Sequence, residues 1–343
     1  MPIITKVMFT SIKEFVLTAR LKLNSLYKTK KIYQGPLIDA MAQCNNQVSS
    51  KLISTAMHSA GVENIALFGR QQNPNDSTQH VIELAKSLNK LIILGSVKRF
   101  DQHEDLTPQF VTETVESILQ GPCRFVGELQ MTHGDKYSSN KRGSKNPNNE
   151  VTLRGERYIN PTSPNMLSLM NHLDDKDVPV FLHWEMYDWD RDYPLFSKLF
   201  LKYPNINFVI PHAGYAKPVY INEILNRYKN IYITLSKREM FHFRYTWLSY
   251  KGQDLGRYSY ADIKKQNKLG SSMLYTNGEI QNEWLHLLKR FPDKFLFATD
   301  CHKLPAFLKY KEIVDLWREI LGQLDNELAE KIGYSNAKKL FKI

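Results

Sequence analysis

The chain has 343 residues, of which 42% are hydrophobic and 24% are charged. These values are typical of a globular protein with a sizeable core, and the length allows one large domain or two medium ones. No stretch approaches the ~20 consecutive apolar residues that a membrane-spanning helix needs, which excludes a protein built from such helices.

The chain is basic, with 46 Lys and Arg against 35 Asp and Glu and a formal net charge of +11. Much of the excess lies in two clusters, Lys22, Lys28, Lys30 and Lys31, and Lys136, Lys141, Arg142, Lys145, Arg154 and Arg157. A solvated surface accounts for them, and attraction of an anionic substrate, an anionic membrane surface or nucleic acid is the alternative. Because no nucleic-acid-binding motif accompanies the charge, we expect no nucleic-acid partner.

The cysteine pattern favours a reducing compartment. The three cysteines are far apart and form neither a CxxC pair nor a disulfide framework. Charged residues interrupt the apolar runs near the N-terminus, so we expect no signal peptide and predict a cytoplasmic protein; these residues are Lys6, Lys13, Glu14 and Arg20.

Short apolar runs rich in β-branched residues alternate with segments of helical length. Eight runs predict strands buried on both faces, at residues 36–40, 64–68, 91–97, 125–131, 180–183, 208–212, 231–236 and 295–300. Helical periodicity is found between them, at residues 78–89, 108–119, 217–228 and 282–291. The alternation predicts an α/β protein with a (β/α)₈ barrel. A doubly wound sheet is the alternative, but no GxGxxG follows the first strand.

The predicted organisation is an N-terminal extension at 1–34, expected to be helical, followed by one barrel domain at 35–343. Two connections are longer than ordinary βα loops, at 132–162 and 237–278, after the fourth and seventh strands. Loops at that end of a barrel build its active site, so both are candidate lids or specificity loops. A surface insertion is the alternative for the first.

Four polar residues lie at or near the ends of predicted strands that are otherwise apolar: Glu128, His183, His212 and Asp300. Each has an ordinary structural explanation, as a hydrogen-bonded core residue or a helix cap. Together, after the fourth, fifth, sixth and eighth strands, they lie where barrel enzymes place their chemistry. Imidazole and carboxylate groups are zinc ligands, and a metal with an open position lowers the pKa of bound water toward ~7. Asp300 is a candidate general base that later acts as an acid.

The chain from Gly35 to Phe341 resembles the amidohydrolase-related metal-dependent hydrolases, a branch that also contains lactonases and nonoxidative decarboxylases. The resemblance rests on GPLIDA, VGELQ, PVFLH, KYPNINFVIPHAG, IYITLS, FPDKFLFATD and the closing EKIGYSNAKKLF. It implies one divalent metal, zinc or manganese, held by Glu128, His183, His212 and Asp300, with Asp300 and His212 acting in catalysis. It also implies a homodimer.

The first strand departs from the family pattern, which has Asp-x-His-x-His. Here Met41 and Gln43 occupy the two histidine positions after Asp39. Two explanations stay open. The chain resembles N-acetylglucosamine phosphate deacetylases that bind a single metal through Glu, His and His, or it has lost the metal and is an inactive or metal-free ligand-binding barrel.

The predicted reaction is metal-dependent hydrolysis of a C–O or C–N bond in a small molecule, such as an ester, lactone or amide. A nonoxidative decarboxylase is the alternative within the family. Trp184, Arg238 and His302 are candidate substrate-binding residues, and Arg238 could bind a carboxylate or phosphate. The expected substrate is therefore a small molecule, and the basic residues leave an anionic one open as an alternative.

Overall fold

The computed structural model describes residues 31–71, 76–88, 90–96, 98–99, 105–133, 136–137, 153–154, 157–186, 188–238, 274–276 and 278–343. The predicted extension at 1–34 therefore lies outside the described residues except for its last four. Of the two basic clusters, Lys31 alone has a described side chain, and it donates to Asn326 Oδ1 at 3.0 Å.

Among the described residues, eight parallel strands follow one another around the core, and we number them β1 to β8. They are Leu37–Cys44, Val62–Gln71, Ile92–Leu94, Val126–His133, Val180–Trp184, Phe208–Ile210, Ile231–Thr234 and Phe295–Leu296. A further strand of two residues, Lys98–Arg99, pairs parallel with the end of the second. Each predicted strand overlaps one of the eight, so the strand predictions are confirmed in position. The last is shorter than predicted because the chain leaves the strand conformation after Leu296 and reaches a positive φ at Asp300.

The helices lie between and after these strands, and we number them α1 to α11. They are Ser50–Ala60, Thr78–Ser87, Pro108–Leu119, Pro164–Leu173, Trp189–Lys202, Pro218–Arg227, Asn282–Arg290, Leu304–Phe307, Tyr310–Leu321, Asn326–Glu330 and Asn336–Phe341. A 3-10 turn follows β6 at Pro211–Tyr215, and a π turn precedes α11 at Lys331–Ser335. The four predicted helices are confirmed, with ends that agree within two residues.

Strand pairing divides the eight strands into two sheets, β1-β2-β3 and β8-β7-β6-β5-β4. Backbone hydrogen bonds continue across both seams. Between β3 and β4, Gly95 and Phe125 form a parallel bridge. Between β8 and β1, Ala40 N donates to Phe297 O at 3.0 Å and Asp300 N donates to Met41 O at 2.8 Å. The strands therefore follow the order of a (β/α)₈ barrel, as predicted.

Side chains alternate between the inside of this ring and the layer under the helices. Phe181 belongs to the inner cluster, whereas Leu182 and Trp184 of the same strand belong to the outer one. Phe341 of α11 also joins the inner cluster, with its ring 5.5 Å from that of Phe125. The last helix thereby lies at the end of the ring at which the strands begin, opposite the carboxyl ends that carry the polar residues.

The two long connections are described only in part. In the first, Arg157–Tyr158 pairs with the end of β4, and Lys136–Tyr137 pairs with Leu153–Arg154, in both cases antiparallel. In the second, Tyr275–Thr276 pairs with Glu279–Ile280. Most of both predicted lids thus lies outside the described residues. In the part of the chain that the structure describes, no helix has the length and apolar character needed to cross a membrane.

Candidate metal centre

The four residues predicted to carry the chemistry converge at the carboxyl ends of the strands. Glu128 lies in β4, His183 in β5, His212 two residues after β6, and Asp300 four residues after β8. All four are buried, with relative exposures of 1%, 5%, 2% and 7%. Parallel strands end on one side of a barrel, so residues that are far apart in sequence meet there.

Three of these residues offer ligand atoms to one point. The Oε1 atom of Glu128 is 2.5 Å from Nδ1 of His183 and 3.6 Å from Nε2 of His212. All three ligand atoms lie within 4.8 Å of one another. The Oδ2 atom of Asp300 is 4.0 Å from Nε2 of His212, on the edge of the cluster.

His183 has a carboxylate at each ring nitrogen. Opposite Glu128, the Nε2 atom of His183 lies 3.0 Å from Oε1 of Glu185, which is also buried. A neutral imidazole donates one hydrogen bond and a carboxylate donates none, so one contact needs an additional proton or a cation. His133 extends the cluster, with Nε2 3.9 Å from Oε1 of Glu185, and forms a second group of candidate ligands with these two residues.

His212 belongs to a short left-handed turn. Four consecutive residues from His212 to Tyr215 have φ values of 57°, 48°, 58° and 51°. This conformation costs roughly 1–2 kcal/mol for each residue with a side chain. Hydrogen bonds hold it: the backbone N of His212 donates to Thr234 Oγ1 at 3.1 Å, and Met186 N donates to Gly214 O at 2.9 Å. Strain of this kind is common at functional sites.

The hydrogen bonds of His212 also orient its ring. Its Nδ1 atom lies 2.9 Å from Oγ of Ser236, so Nε2 is the nitrogen that faces Glu128 and Asp300. Burial lowers the pKa of His212 well below its usual value, and the charge of Asp300 opposes this effect. His212 is therefore neutral at neutral pH, the form in which imidazole binds metals.

Asp300 has a protein group at each carboxylate oxygen. Its Oδ1 accepts a hydrogen bond of 2.7 Å from Nε2 of Gln43, and its Oδ2 is 3.7 Å from Nζ of Lys237. Both partners are buried. The Oε1 atom of Gln43 is buried and has no hydrogen-bond partner in the described structure. Of the two residues at the family's histidine positions, Met41 packs in the inner core and Gln43 contacts Asp300.

Two of the three predicted substrate-binding residues lie near the cluster. The guanidinium of Arg238 is 4.3 Å from the ring centre of Tyr215, whose ring is 5.2 Å from that of His212. His302 is partly exposed, and its Nδ1 is 3.2 Å from the backbone oxygen of Asp300.

Trp184, the third of these residues, lies elsewhere, and its role in substrate binding stays a prediction. It points away from the barrel interior and stacks on Phe196 of α5, with 4.0 Å between the ring centres. The reason is the alternation of strand side chains: His183 faces the site, so its neighbour faces the helices. The alternation of side chains along the strand, counted from His183, is the signal in the sequence that indicates this orientation.

Lys237 was not singled out in the sequence, although it directly precedes Arg238. It has a φ of 63° and lies beside Asp300. Glu185 directly follows the fifth strand, and its contact with His183 was likewise not predicted. Its position two residues after His183, on the same side of an extended chain, is the available signal.

The comparisons agree with the barrel. A family model described as amidohydrolase matches residues 153–343. A probable 2-pyrone-4,6-dicarboxylic acid hydrolase from Acinetobacter baumannii, with citric acid bound, superposes with a TM-score of 0.53 at 13% identity, over 90% of this chain and 99% of that one. An amidohydrolase from Burkholderia multivorans with bound zinc gives 0.53 at 14% identity, over 90% and 100%.

An uncharacterized TIM-barrel protein from Bordetella bronchiseptica gives a TM-score of 0.52 at 14% identity, over 86% of this chain and 83% of that one. At these identities the likeness establishes the fold alone. No curated protein matches the chain in sequence. The family model covers more than half of the chain and includes His183, His212 and Asp300. On this evidence the chain belongs to the amidohydrolase family.

Proposed function

We propose that this protein is a metal-dependent hydrolase that cleaves a C–O or C–N bond of a small molecule, such as an ester, lactone or amide. One observation carries the proposal: the ligand atoms of Glu128, His183 and His212 converge within 4.8 Å, with Asp300 beside them. Two imidazoles and a carboxylate are a common ligand set of catalytic zinc and also suit manganese.

The residues fit a cation at this point. Glu185 can accept a hydrogen bond from Nε2 of His183, and a cation held by His183 and Glu128 would supply the positive charge that the second contact needs. His212 is neutral, and a proton on Nδ1 toward Ser236 leaves a lone pair on Nε2 that faces two carboxylates.

A bound divalent ion would polarise the substrate carbonyl and make water acidic enough to attack at neutral pH. In our proposal Asp300 takes a proton from the attacking water on Oδ2 and returns it to the leaving atom. Gln43 holds the other carboxylate oxygen and so fixes the plane of this base. His212 would help to hold the ion beside Asp300, so that a carbonyl polarised by the ion lies close to this base.

The two buried cations near the base favour an anionic substrate. Lys237 and Arg238 each have 5% relative exposure and follow β7 at the mouth of the site. Arg238 stacks on Tyr215 beside the cluster, and a guanidinium is a common partner of a carboxylate or phosphate. His302 is a further candidate at the same mouth. Citrate, bound to the Acinetobacter barrel, is a convenient first probe of this anion site.

The test is the metal content per chain, measured by elemental mass spectrometry on wild type and on Glu128→Ala, His183→Ala and His212→Ala. We expect about one zinc or manganese per wild-type chain and a loss in each variant. The exposed residues in Glu116→Ala and His172→Ala serve as controls of matched chemistry. A wild-type chain that stays free of metal after reconstitution contradicts the proposal and favours a metal-free binding barrel.

Activity then separates the reaction classes. A panel of lactones, esters and amides, with anionic members, is assayed beside aromatic carboxylic acids. Product acid without carbon dioxide supports hydrolysis, and release of carbon dioxide with the same metal dependence supports the decarboxylase alternative.

We further propose a cytoplasmic homodimer. All three cysteines are free and buried, which suits a reducing compartment. Cell fractionation tests the location, and light scattering of the purified protein tests the oligomeric state; membrane-associated or monomeric protein would contradict the respective part.

A further inference from the structure

The Asp300 carboxylate lies between two positively polarised groups and the metal ligands. Gln43 donates to Oδ1 at 2.7 Å, and the ammonium of Lys237 is 3.7 Å from Oδ2. The same Oδ2 is 4.0 Å from Nε2 of His212. A small movement of Asp300 toward His212 would therefore take Oδ2 away from the ammonium and bring it within reach of any ion held by the cluster.

The backbone on both sides of this contact is strained. Asp300 has a φ of 48° and Lys237 a φ of 63°, in the left-handed region that non-glycine residues rarely occupy. The two residues follow different strands, β8 and β7, and both side chains are buried. Two strained residues that face each other indicate that the surrounding structure maintains their contact.

The backbone around Asp300 is also tied to β1. Asp300 N donates to Met41 O at 2.8 Å, and Gln43 N donates to Cys301 O at 2.7 Å. These bonds and the Gln43 side chain all come from the first strand. They hold the carboxylate at the border of the cluster of Glu128, His183 and His212, where Lys237 is its nearest described cation.

A catalytic metal needs a coordination position for water, and a fourth protein ligand would compete for it. A carboxylate 4 Å from a ligand atom is the natural competitor. We propose, on the basis of the proposed metal site, that Lys237 is a positioning residue. Its ammonium, with the Gln43 amide, holds Asp300 out of the metal's ligand set so that this carboxylate stays available to the substrate.

The probe is Co²⁺, because its visible absorption changes with the number and type of ligands. Wild type, Lys237→Met, Lys237→Arg and Gln43→Leu are titrated with Co²⁺, and affinity and spectrum are recorded. We expect Lys237→Met to bind Co²⁺ at least tenfold more tightly, with an altered spectrum, as Asp300 joins the ligands. Lys237→Arg keeps the charge and should resemble wild type. Gln43→Leu should change in the same direction as Lys237→Met.

The effect must act through Asp300. In an Asp300→Asn background, Lys237→Met should leave affinity and spectrum unchanged, since no carboxylate is present to be released. A gain that persists in this background overturns the proposal, as does wild-type behaviour of a folded Lys237→Met. If Lys237→Met fails to fold, the other two variants decide. Tighter Co²⁺ binding by Gln43→Leu, with Lys237→Arg like wild type, supports the proposal, and wild-type behaviour of Gln43→Leu overturns it.

Failure of this proposal is distinguishable from failure of the proposed function. If Co²⁺ binding is lost without Glu128 but is unchanged by substitutions of Lys237 and Gln43, only the proposed role of Lys237 is wrong. If the wild-type chain binds no Co²⁺, both the role of Lys237 and the proposed metal-dependent function are wrong.

Discussion

Glu185 lies on the far side of His183 from Glu128, with its Oε1 atom 3.0 Å from Nε2 of the imidazole. A carboxylate at one nitrogen fixes the proton there and directs the other nitrogen, Nδ1, toward the proposed metal. In the proposed site, Glu185 would thus set which nitrogen of His183 binds the ion.

We predict that Glu185→Gln weakens metal binding, because its amide holds the imidazole less firmly and does not favour a proton on Nε2. Loss of such an orienting group typically lowers metal affinity about 10–100-fold. Competition with a chelator of known affinity measures the change, with the exposed Glu279→Gln as control. Unchanged affinity in Glu185→Gln would show that His183 is oriented by other contacts.

Trp184→Ala should reduce stability without removing metal. The indole is 1% exposed and packs between β5 and α5, so truncation leaves a cavity that costs about 3–5 kcal/mol. Denaturant unfolding measures the loss, and metal content is compared per folded chain at low temperature. A stable variant with altered substrate affinity would instead support the predicted role of Trp184 in substrate binding.

Gly214→Ala should disturb the turn that carries His212. An added Cβ would lie 2.9 Å from the backbone oxygen of Trp184, and the φ of Gly214 is +58°. We expect a loss of more than about 1 kcal/mol in stability, together with weaker metal binding. Gly278→Ala is the matched control, since Gly278 also has a positive φ, +87°, but no atom within 4 Å of the added Cβ. Equal losses in the two variants would mean that backbone strain alone matters.

Asp39 should make stability depend on pH. Burial raises the pKa of Asp39 from 3.8 to about 6, although Thr299, Tyr310 and the backbone of Met41 donate hydrogen bonds to it. Between these pH values the folded chain keeps a proton that the unfolded chain has lost. Its contribution to stability is therefore complete below pH 4 and falls as pH rises through 6, by about 3 kcal/mol at ~1.4 kcal/mol per pKa unit.

The measurement is the free energy of unfolding of wild type minus that of Asp39→Asn between pH 4 and 7. The lost hydrogen bonds of the variant add a constant, so the slope alone reports the titration, and Asp39→Ala should give the same slope. A difference that does not vary with pH would mean that the four donors keep the carboxyl pKa close to 3.8.

Much of the fold could be predicted because it rests on local patterns. Helix α3 was predicted residue for residue at Pro108–Leu119, where Thr107 caps the helix and proline begins it. The end of β8 was not predicted correctly. Residues 297–300 leave the strand conformation, but their backbone still forms hydrogen bonds with β1 and with the chain just before α11. Such bonds depend on the neighbouring strand, not on local composition.

By itself the sequence determined which residues could carry the chemistry: Glu128, His183, His212 and Asp300 stand out as polar groups at the ends of apolar strands, and parallel strands bring their ends together. Only the tertiary structure decided the contacts among the neighbours of these residues. Gln43 meets Asp300 across 257 positions of chain, Lys237 meets it from β7, and Trp184 turns away from the site. These outcomes depend on strand parity and on which strands adjoin where the ring closes, and those are properties of the assembled barrel.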